Sequence, residues 1–351
     1  MARYAGIDLG GTKIQAAVVD DDHEVLGQSR HQTPLRGGPS AIAAEMAQAL
    51  RESCEQAGIE SAELDGIGVG SPGSVDDAAG TVSSAKNLSE WGGTFALRDF
   101  LEGELGAPVA LGNDVSLAVE AEFAIGAGRP YSSLLGVFWG TGVGGGIVLD
   151  GKRWTGRKSA GEIGHMVVKV GGARCPCGRR GCMEAYAGRG AMEARARKRA
   201  DKGEKTVLFK MMEEKGRDRL VSGIWEKAIE REDKLALELL GEAVEALGAG
   251  IASAVNLLDP EAVVIGGGLG LRLGEPWLER IHAAMLPHLF RDADPPAVML
   301  AQLGDLGGAQ GGALLARRAA ERRRPARRGA ARGTAARRAG QRSRASTRSA
   351  T

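Results

Sequence analysis

Two segments far apart in the chain repeat one pattern: a mostly apolar strand, a short glycine-rich loop and a second strand. Apolar runs of this length bounded by glycine predict β-hairpins, here with unusually polar or glycine-rich tips. A unit that occurs twice in one chain indicates duplicated halves that face each other. The residues are 4–9, 10–12 and 13–19 in the first unit, and 134–139, 140–145 and 146–149 in the second.

The rest of the chain alternates between predicted strands and helices, which favours an α/β fold with mixed sheets. Cys54 lies on the apolar face of one predicted helix, and we expect it to be core. The densely charged residues 201–234 give no indication of function. The predicted strands are 66–70, 109–111 and 262–265, and the predicted helices are 40–57, 115–124 and 234–258.

Charge divides the chain into an acidic body and a basic tail. Residues 322–351 contain eleven Arg and no Asp or Glu, so their net charge is +11. Because the whole chain has a net charge of +2, residues 1–321 have a net charge of −9. The tail has too few apolar residues to fold, and we expect it to be disordered. The longest uncharged run, 130–149, is too rich in glycine for a lipid-facing helix, and no signal peptide is visible. We therefore expect a cytoplasmic protein with no membrane partner.

The sharpest local signal is a set of one histidine and three cysteines. His165, Cys175, Cys177 and Cys182 supply one imidazole and three thiolates within eighteen residues. Zinc favours tetrahedral sulfur and nitrogen ligands, and a site with four protein ligands leaves no position for water. The pattern therefore predicts a structural zinc ion, with a metal-free cluster of reduced cysteines as the alternative.

Both glycine loops could bring backbone N–H groups close to phosphate oxygens. Gly140 to Gly145 matches the dinucleotide pattern, but a strand follows it where that pattern needs a helix. Ordinary hairpin turns are the alternative for either loop. Asp8, just before the first loop, could hold Mg²⁺ through water.

Asn113-Asp114 follows a short predicted strand and precedes a predicted helix. Asp114 could be a helix N-cap, because aspartate is favoured there. Its carboxylate could instead accept the proton of an attacking hydroxyl while the glycine loops hold the phosphates. The pair alone leaves both readings open.

Taken together, these motifs resemble those of the ROK sugar kinases over roughly residues 4–320. One departure is Ser89-Glu90, where that family often has proline and glycine, and it affects the expected shape of that loop. The matching motifs are Asp8-Leu9-Gly10-Gly11-Thr12-Lys13, Gly70-Ser71-Pro72-Gly73, Asn87-Leu88 with Trp91, Asn113-Asp114, Gly140 to Gly146, Glu162-Ile163-Gly164-His165, Cys175 to Glu184 and Gly266-Gly267-Gly268.

The resemblance implies an actin-like (ribonuclease H-like) ATPase fold, with two lobes, mixed sheets and a cleft that binds ATP, Mg²⁺ and a hexose, glucose being favoured. It implies that Asp114 is the general base and that His165 meets both zinc and the sugar. The implied sugar contacts are Gly73, Asn87, Asn113, Asp114, Glu162, His165 and Glu184. The implied ATP contacts are Asp8, Gly10, Gly11, Thr12, Lys13, Gly140, Thr141, Gly142, Gly144, Gly266, Gly267 and Gly268.

The resemblance also suggests an organisation and a set of alternatives. We expect a small lobe of residues 1–115 and about 300–321, a large lobe of 116–299 with a zinc-binding loop at 165–184, and a homodimer or homotetramer. The alternatives are an N-acetylhexosamine, mannose or fructose kinase, a polyphosphate donor, and a sugar-responsive regulator. Only seven residues precede Asp8, which leaves no room there for a helix-turn-helix domain, so we expect no specific nucleic-acid partner.

Overall fold

The structure, a computed structural model, describes residues 2–85, 87–157 and 159–323. Within them, no helix is both long and apolar enough to cross a membrane. The strands are β1 (Tyr4–Leu9), β2 (Lys13–Val19), β3 (Val25–Gln32), β4 (Gly66–Ser71), β5 (Ser74–Asp76), β6 (Thr81–Ser83), β7 (Thr94–Phe95), β8 (Val109–Asn113), β9 (Leu134–Trp139), β10 (Val143–Leu149), β11 (Lys152–Arg153), β12 (Ala262–Gly266) and β13 (Ala297–Leu300). The helices are α1 (Gly38–Gln56), α2 (Leu97–Leu105), α3 (Asp114–Ile125), α4 (Glu184–Ala187), α5 (Arg189–Ala200), α6 (Leu208–Glu214), α7 (Ser222–Glu230), α8 (Lys234–Leu258), α9 (Gly267–Leu273), α10 (Glu275–Met285) and α11 (Gly307–Arg323).

Two five-stranded sheets share one topology, which confirms the duplication inferred from the two hairpin units. The first has the order β3-β2-β1-β4-β8 and the second the order β11-β10-β9-β12-β13. In each, an antiparallel hairpin continues into two parallel strands: β1 with β4 and β8, and β9 with β12 and β13. The predicted α/β class with mixed sheets is therefore correct.

Each sheet has its own apolar core. Helix α1 packs on β2 and β3 and buries Ile42, Met46 and Leu50, and Cys54 is only 2% exposed, as expected of a core residue. Around the second sheet, α8 is the central helix, and its bounds match the predicted 234–258. The repeated four-residue spacing of α8 places one face against the core, which is why the sequence predicts it well.

Helix α11 approaches the first sheet so closely that glycine is needed on both surfaces. A Cβ atom at Gly6 would lie 1.7 Å from the carbonyl oxygen of Ala309, and one at Gly68 would lie 1.8 Å from that of Gly312. No side chain fits at such distances. The helix also continues to Arg323, so Arg322 and Arg323 of the predicted disordered tail are helical. The rest of that tail, 324–351, lies outside the described residues.

The charged segment 201–234 contains two helices that belong to the second core. Leu208 of α6 and Ile224 and Trp225 of α7 are completely buried. Their charged neighbours face outward, so the local composition hides an amphipathic pattern in helices of seven and nine residues.

Candidate active site

Asn113 and Asp114 form the junction between β8 and α3. The N-cap is Asn113, whose Oδ1 accepts a hydrogen bond of 3.0 Å from the N–H of Ser116. The cap reading of Asp114 is therefore wrong, because Asp114 is the first helical residue. Its Oδ1 accepts a hydrogen bond of 3.0 Å from Nδ2 of Asn113. The Asp114 carboxylate is thus oriented by Asn113, and hydrogen bonds from the backbone N–H groups of Asp114 and Val115 also hold it.

Asp8 and Asp114 meet at the carboxyl ends of strands on either side of β4. Asp8 pairs with Gly70, and a Cβ atom at Gly70 would lie 3.1 Å from the Cα of Asp114. The start of α11 reaches the same point, since a Cβ at Gly308 would lie 2.6 Å from Oδ2 of Asp8. Two carboxylates and two glycines therefore share one confined space.

Confinement makes both carboxylates weaker acids than usual. Burial raises the pKa of Asp114 to about 6. Hydrogen bonds from the backbone N–H groups of Val115 and Asp114 oppose this rise, and the charge of Glu162 adds to it. Burial likewise raises the pKa of Asp8 to about 7, with a further contribution from Asp114 and an opposing one from Lys13. Perturbed carboxylates of this kind are typical of functional sites.

The first glycine loop lies beside the predicted sugar-binding asparagine. Residues 10–12 form the turn between β1 and β2, with the Gly10 N–H donating to the carbonyl of Lys13 at 2.9 Å. A Cβ at Gly11 would lie 2.8 Å from the carbonyl oxygen of Asn87, so the two backbones touch. Lys13 Nζ forms an ion pair of 2.7 Å with Asp305. Gly73 has φ +88° and packs against Ser83 and Ala85, which makes it a turn residue near the same region.

The second glycine loop is shorter than predicted. The turn is Gly140 to Gly142, because β10 already begins at Val143. Gly144 and Gly146 are strand residues whose missing side chains make room for Val115 and Val119 of α3. The structure therefore leaves Gly144 outside the loop, whereas Gly140, Thr141 and Gly142 lie within it.

The third glycine motif joins this loop. Gly266 ends β12, and Gly267 begins α9 with φ +81°. A Cβ at Gly267 would lie 2.6 Å from the carbonyl oxygen of Trp139, and one at Gly140 would lie 3.8 Å from the backbone N of Gly268. The two glycine segments, distant in sequence, therefore touch at the ends of neighbouring strands.

The predicted zinc ligands converge. One potential ligand atom from each of His165, Cys175, Cys177 and Cys182 lies within 4.8 Å of the other three. His165 Nδ1 is 3.8 Å from Cys175 Sγ, and Cys177 Sγ is 3.8 Å from Cys182 Sγ. Tetrahedral zinc with Zn–S bonds of about 2.3 Å requires sulfur atoms about 3.8 Å apart. The donor set and its spacing fit zinc.

Glu162 and Glu184 flank the four proposed zinc ligands on different sides. Glu162 Oε2 lies 4.0 Å from His165 Nε2, on the ring edge opposite the thiols. Glu184 Oε1 faces the Cys175 sulfur at 3.6 Å, while its Oε2 accepts a hydrogen bond of 3.0 Å from the Val143 N–H. Glu184 therefore connects the cysteine loop directly to the strand that follows the second glycine loop, which the sequence does not reveal.

Arg189 is a residue that the motif analysis misses. Its Nη2 donates to Thr141 Oγ1 at 2.8 Å and its Nη1 to Ser222 Oγ at 3.0 Å. Its backbone N–H donates to the carbonyl of Gly140 at 3.1 Å. The only available signal was its position five residues after Glu184, because nothing in the linear sequence places it against the glycine loop.

Two sheets of one topology, with two carboxylates at the strand ends of the first, are the arrangement of an actin-like ATPase fold. Comparison with known proteins agrees. The sequence model of the ROK family matches residues 4–319, and the chain belongs to that family. It is 32% identical to a glucokinase of Thermotoga maritima over 298 residues, 81% of this chain and 89% of that protein.

Two further relatives differ in the substrate that they name. The chain is 32% identical to the N-acetylgalactosamine kinase AgaK of a Shewanella species, over 89% of this chain and 96% of that protein. Among solved structures, a ROK family glucokinase from Streptomyces griseus in complex with glucose and AMPPNP matches with a TM-score of 0.77 and 32% identity. That match covers 90% of this chain and all of the other.

Proposed function

We propose that this protein is an ATP-dependent hexose kinase that transfers the γ-phosphoryl group of ATP to the 6-hydroxyl of glucose. The observation that carries the proposal is the buried Asp114 carboxylate, which is oriented by Asn113 at the start of α3 and lies close to Asp8. The similarity to the glucokinases of Thermotoga maritima and Streptomyces griseus supports glucose as the acceptor.

In the proposed reaction, Asp114 accepts the proton of the sugar hydroxyl as its oxygen attacks the γ-phosphorus. The new O–P bond forms as the bond between the γ-phosphorus and the bridging oxygen breaks, and ADP leaves with those electrons. A base with a pKa of about 6 is ionised at neutral pH yet basic enough to assist the transfer.

The sugar would lie between Asp114 and the cysteine loop. Glu162, whose charge acts on Asp114, and the Nε2 edge of His165 would both meet its hydroxyls. We include Asn87, Asn113, Gly73 and Glu184 in the same site as the family resemblance implies. The proposed zinc ion, held by His165 and the three cysteines, supplies a rigid cross-link when bound.

The donor would lie along the glycine segments. Gly10 to Thr12 and Gly140 to Gly142 would face the phosphates, with Lys13 nearby, and Gly266 to Gly268 would face the adenosine. Mg²⁺ bound with ATP would draw on Asp8, since magnesium takes one or two carboxylates besides phosphates and water. A cation there would also lower the cost of ionising Asp8, whose pKa is about 7 without one.

The larger organisation stays a proposal. The first sheet with α11 would form the small lobe (1–115 and about 300–321) and the second sheet the large lobe (116–299), with α3 in contact with both. A homodimer or homotetramer and a cytoplasmic location remain predictions.

A second candidate, an N-acetylhexosamine kinase, is favoured by the similarity to the Shewanella N-acetylgalactosamine kinase. Both candidates share the general base, so the test of mechanism is Asp114→Asn. We expect kcat to fall by about 10²- to 10⁴-fold while glucose affinity, measured by calorimetry, changes far less. A folded Asp114→Asn protein with near wild-type kcat would show that Asp114 is not the base.

A further inference from the structure

Arg189 carries a half-buried positive charge that forms no ion pair within 4 Å of a carboxylate among the described residues. Glu193 acts on it from further away and is itself shared by Arg197 and Arg219. The two side-chain hydrogen-bond partners of Arg189, Thr141 and Ser222, are neutral hydroxyls. The ion pairs among residues 2–85, 87–157 and 159–323 include other arginines of α5, such as Arg195 with Glu242 and Arg197 with Glu193, but not Arg189. Partial burial of an unpaired guanidinium is costly, so an anionic ligand would stabilise this arrangement.

The position of the guanidinium indicates which anion. It touches Thr141 in the second glycine loop and Ser222 at the start of α7. Ser222 Oγ in turn lies 3.9 Å from the Cβ position of Gly268, at the third glycine motif. The backbone N–H of Gly190 also donates to the Thr141 carbonyl at 3.0 Å. Arg189 thus stands where the two glycine segments of the proposed donor site meet.

The surroundings reinforce the positive potential. Arg219 lies 3.3 Å from the Cβ position of Gly190 and, after burial, is the main cause of the lowered pKa of Arg189. Beside it, an open pocket of about 520 Å³ runs along α5. Its charged lining is Arg197, Lys198, Lys202 and Arg219 against Glu193 and Asp201, a net charge of +2. A field of this sign attracts phosphate groups.

We propose that Arg189 binds the phosphate chain of the donor, while Thr141 and Ser222 hold its guanidinium in place. The inference rests on the proposed kinase function and adds to it a residue outside the motifs. Guanidinium N–H groups match phosphate oxygens geometrically, and hydrogen bonds between charged groups are stronger than neutral ones. Arg189 therefore distinguishes donors by their phosphates and contributes little to binding of the sugar.

The test separates charge from hydrogen bonding. Arg189→Lys keeps the charge but loses the fork that spans two hydroxyls, whereas Arg189→Gln can still hydrogen bond but is neutral. Arg231→Gln, at an exposed position at the C-terminal end of α7 and outside the pocket, is the matched control. Calorimetry on full-length protein measures Kd for MgADP, AMP and glucose, with thermal unfolding to verify folding.

We expect Arg189→Gln to weaken MgADP binding about 10- to 100-fold, AMP binding less and glucose binding less than about twofold. Arg189→Lys should recover part of the loss, and Arg231→Gln should resemble wild type. The proposal would be overturned if Arg189→Gln bound MgADP nearly as tightly as wild type while Arg189→Lys bound it poorly. Arg189 would then act through its hydrogen bonds to Thr141 and Ser222 and not through its charge. Equal loss of ADP and AMP binding would also overturn the proposal. A wild-type protein that binds neither MgADP nor glucose would instead contradict the kinase function itself.

Discussion

Lowering the pH should reduce turnover well above the range in which an ordinary aspartate titrates. Burial and the Glu162 carboxylate raise the pKa of Asp114 to about 6, and Asp8 is the other carboxylate close to it. With that value, about 97% of Asp114 is ionised at pH 7.5 and about 9% at pH 5, so a reaction that needs the ionised base slows about tenfold. An aspartate with a pKa of 3.8 would still be about 94% ionised at pH 5.

The assay should avoid coupling enzymes at low pH. Reactions are run at subsaturating MgATP and glucose between pH 5 and 8, so that kcat/KM reports the free enzyme, and are then quenched. Glucose 6-phosphate is measured afterwards at pH 7.5. Return of a sample from pH 5 to pH 7.5 verifies that the loss is reversible. Glu162→Gln removes one cause of the raised pKa and should move the midpoint to lower pH. A flat profile down to pH 5 would refute the assignment of a perturbed Asp114 as base.

Three further outcomes are expected. Purified protein should contain one zinc ion per chain, and Cys177→Ala should lose the metal and raise the KM for glucose. Finding less than one-tenth equivalent of zinc in fully active protein that was never exposed to a chelator would contradict this prediction. Gly312→Ala should lower the free energy of unfolding by about 1–3 kcal/mol, since its Cβ would lie 2.5 Å from the Gly68 carbonyl oxygen. The control Gly241→Ala, on the exposed face of α8, should not lower the free energy of unfolding. Truncation after Arg323, where α11 ends, should leave kcat/KM for glucose unchanged, and a large loss would show that the tail reaches the active site.

Local patterns were enough to predict most of the framework. The short strands β1 and β2 and the periodic helix α8 agree with their predicted bounds. The two strands are buried on both faces and so are mostly apolar runs next to a glycine turn, whereas α8 buries one regular face against a core. The convergence of His165, Cys175, Cys177 and Cys182 was also predictable, since one imidazole and three thiols close together in sequence are typical of a shared metal site.

Contacts between segments that are distant in sequence could not be predicted from local sequence patterns. The capping role of Asn113 depends on where α3 begins, one residue earlier than the periodicity indicates. The meeting of Asp8 with Asp114, and of Arg189 with Thr141, depends on how strands and helices are placed side by side. Gly144 was wrongly assigned to the second glycine loop, because the sequence alone does not distinguish a glycine that allows close helix packing from one in a phosphate-binding loop.

The central claim, phosphoryl transfer from ATP to the 6-hydroxyl of glucose, is tested most directly by identifying the products. Wild-type protein is incubated with MgATP and, separately, glucose, mannose, fructose, N-acetylglucosamine and N-acetylgalactosamine, and the products are followed by ³¹P NMR with kcat/KM for each sugar. We predict one ADP for each glucose 6-phosphate and the highest kcat/KM with glucose. ATP consumption without a hexose 6-phosphate would contradict the claim, and a higher kcat/KM with an N-acetylhexosamine would contradict glucose as the substrate.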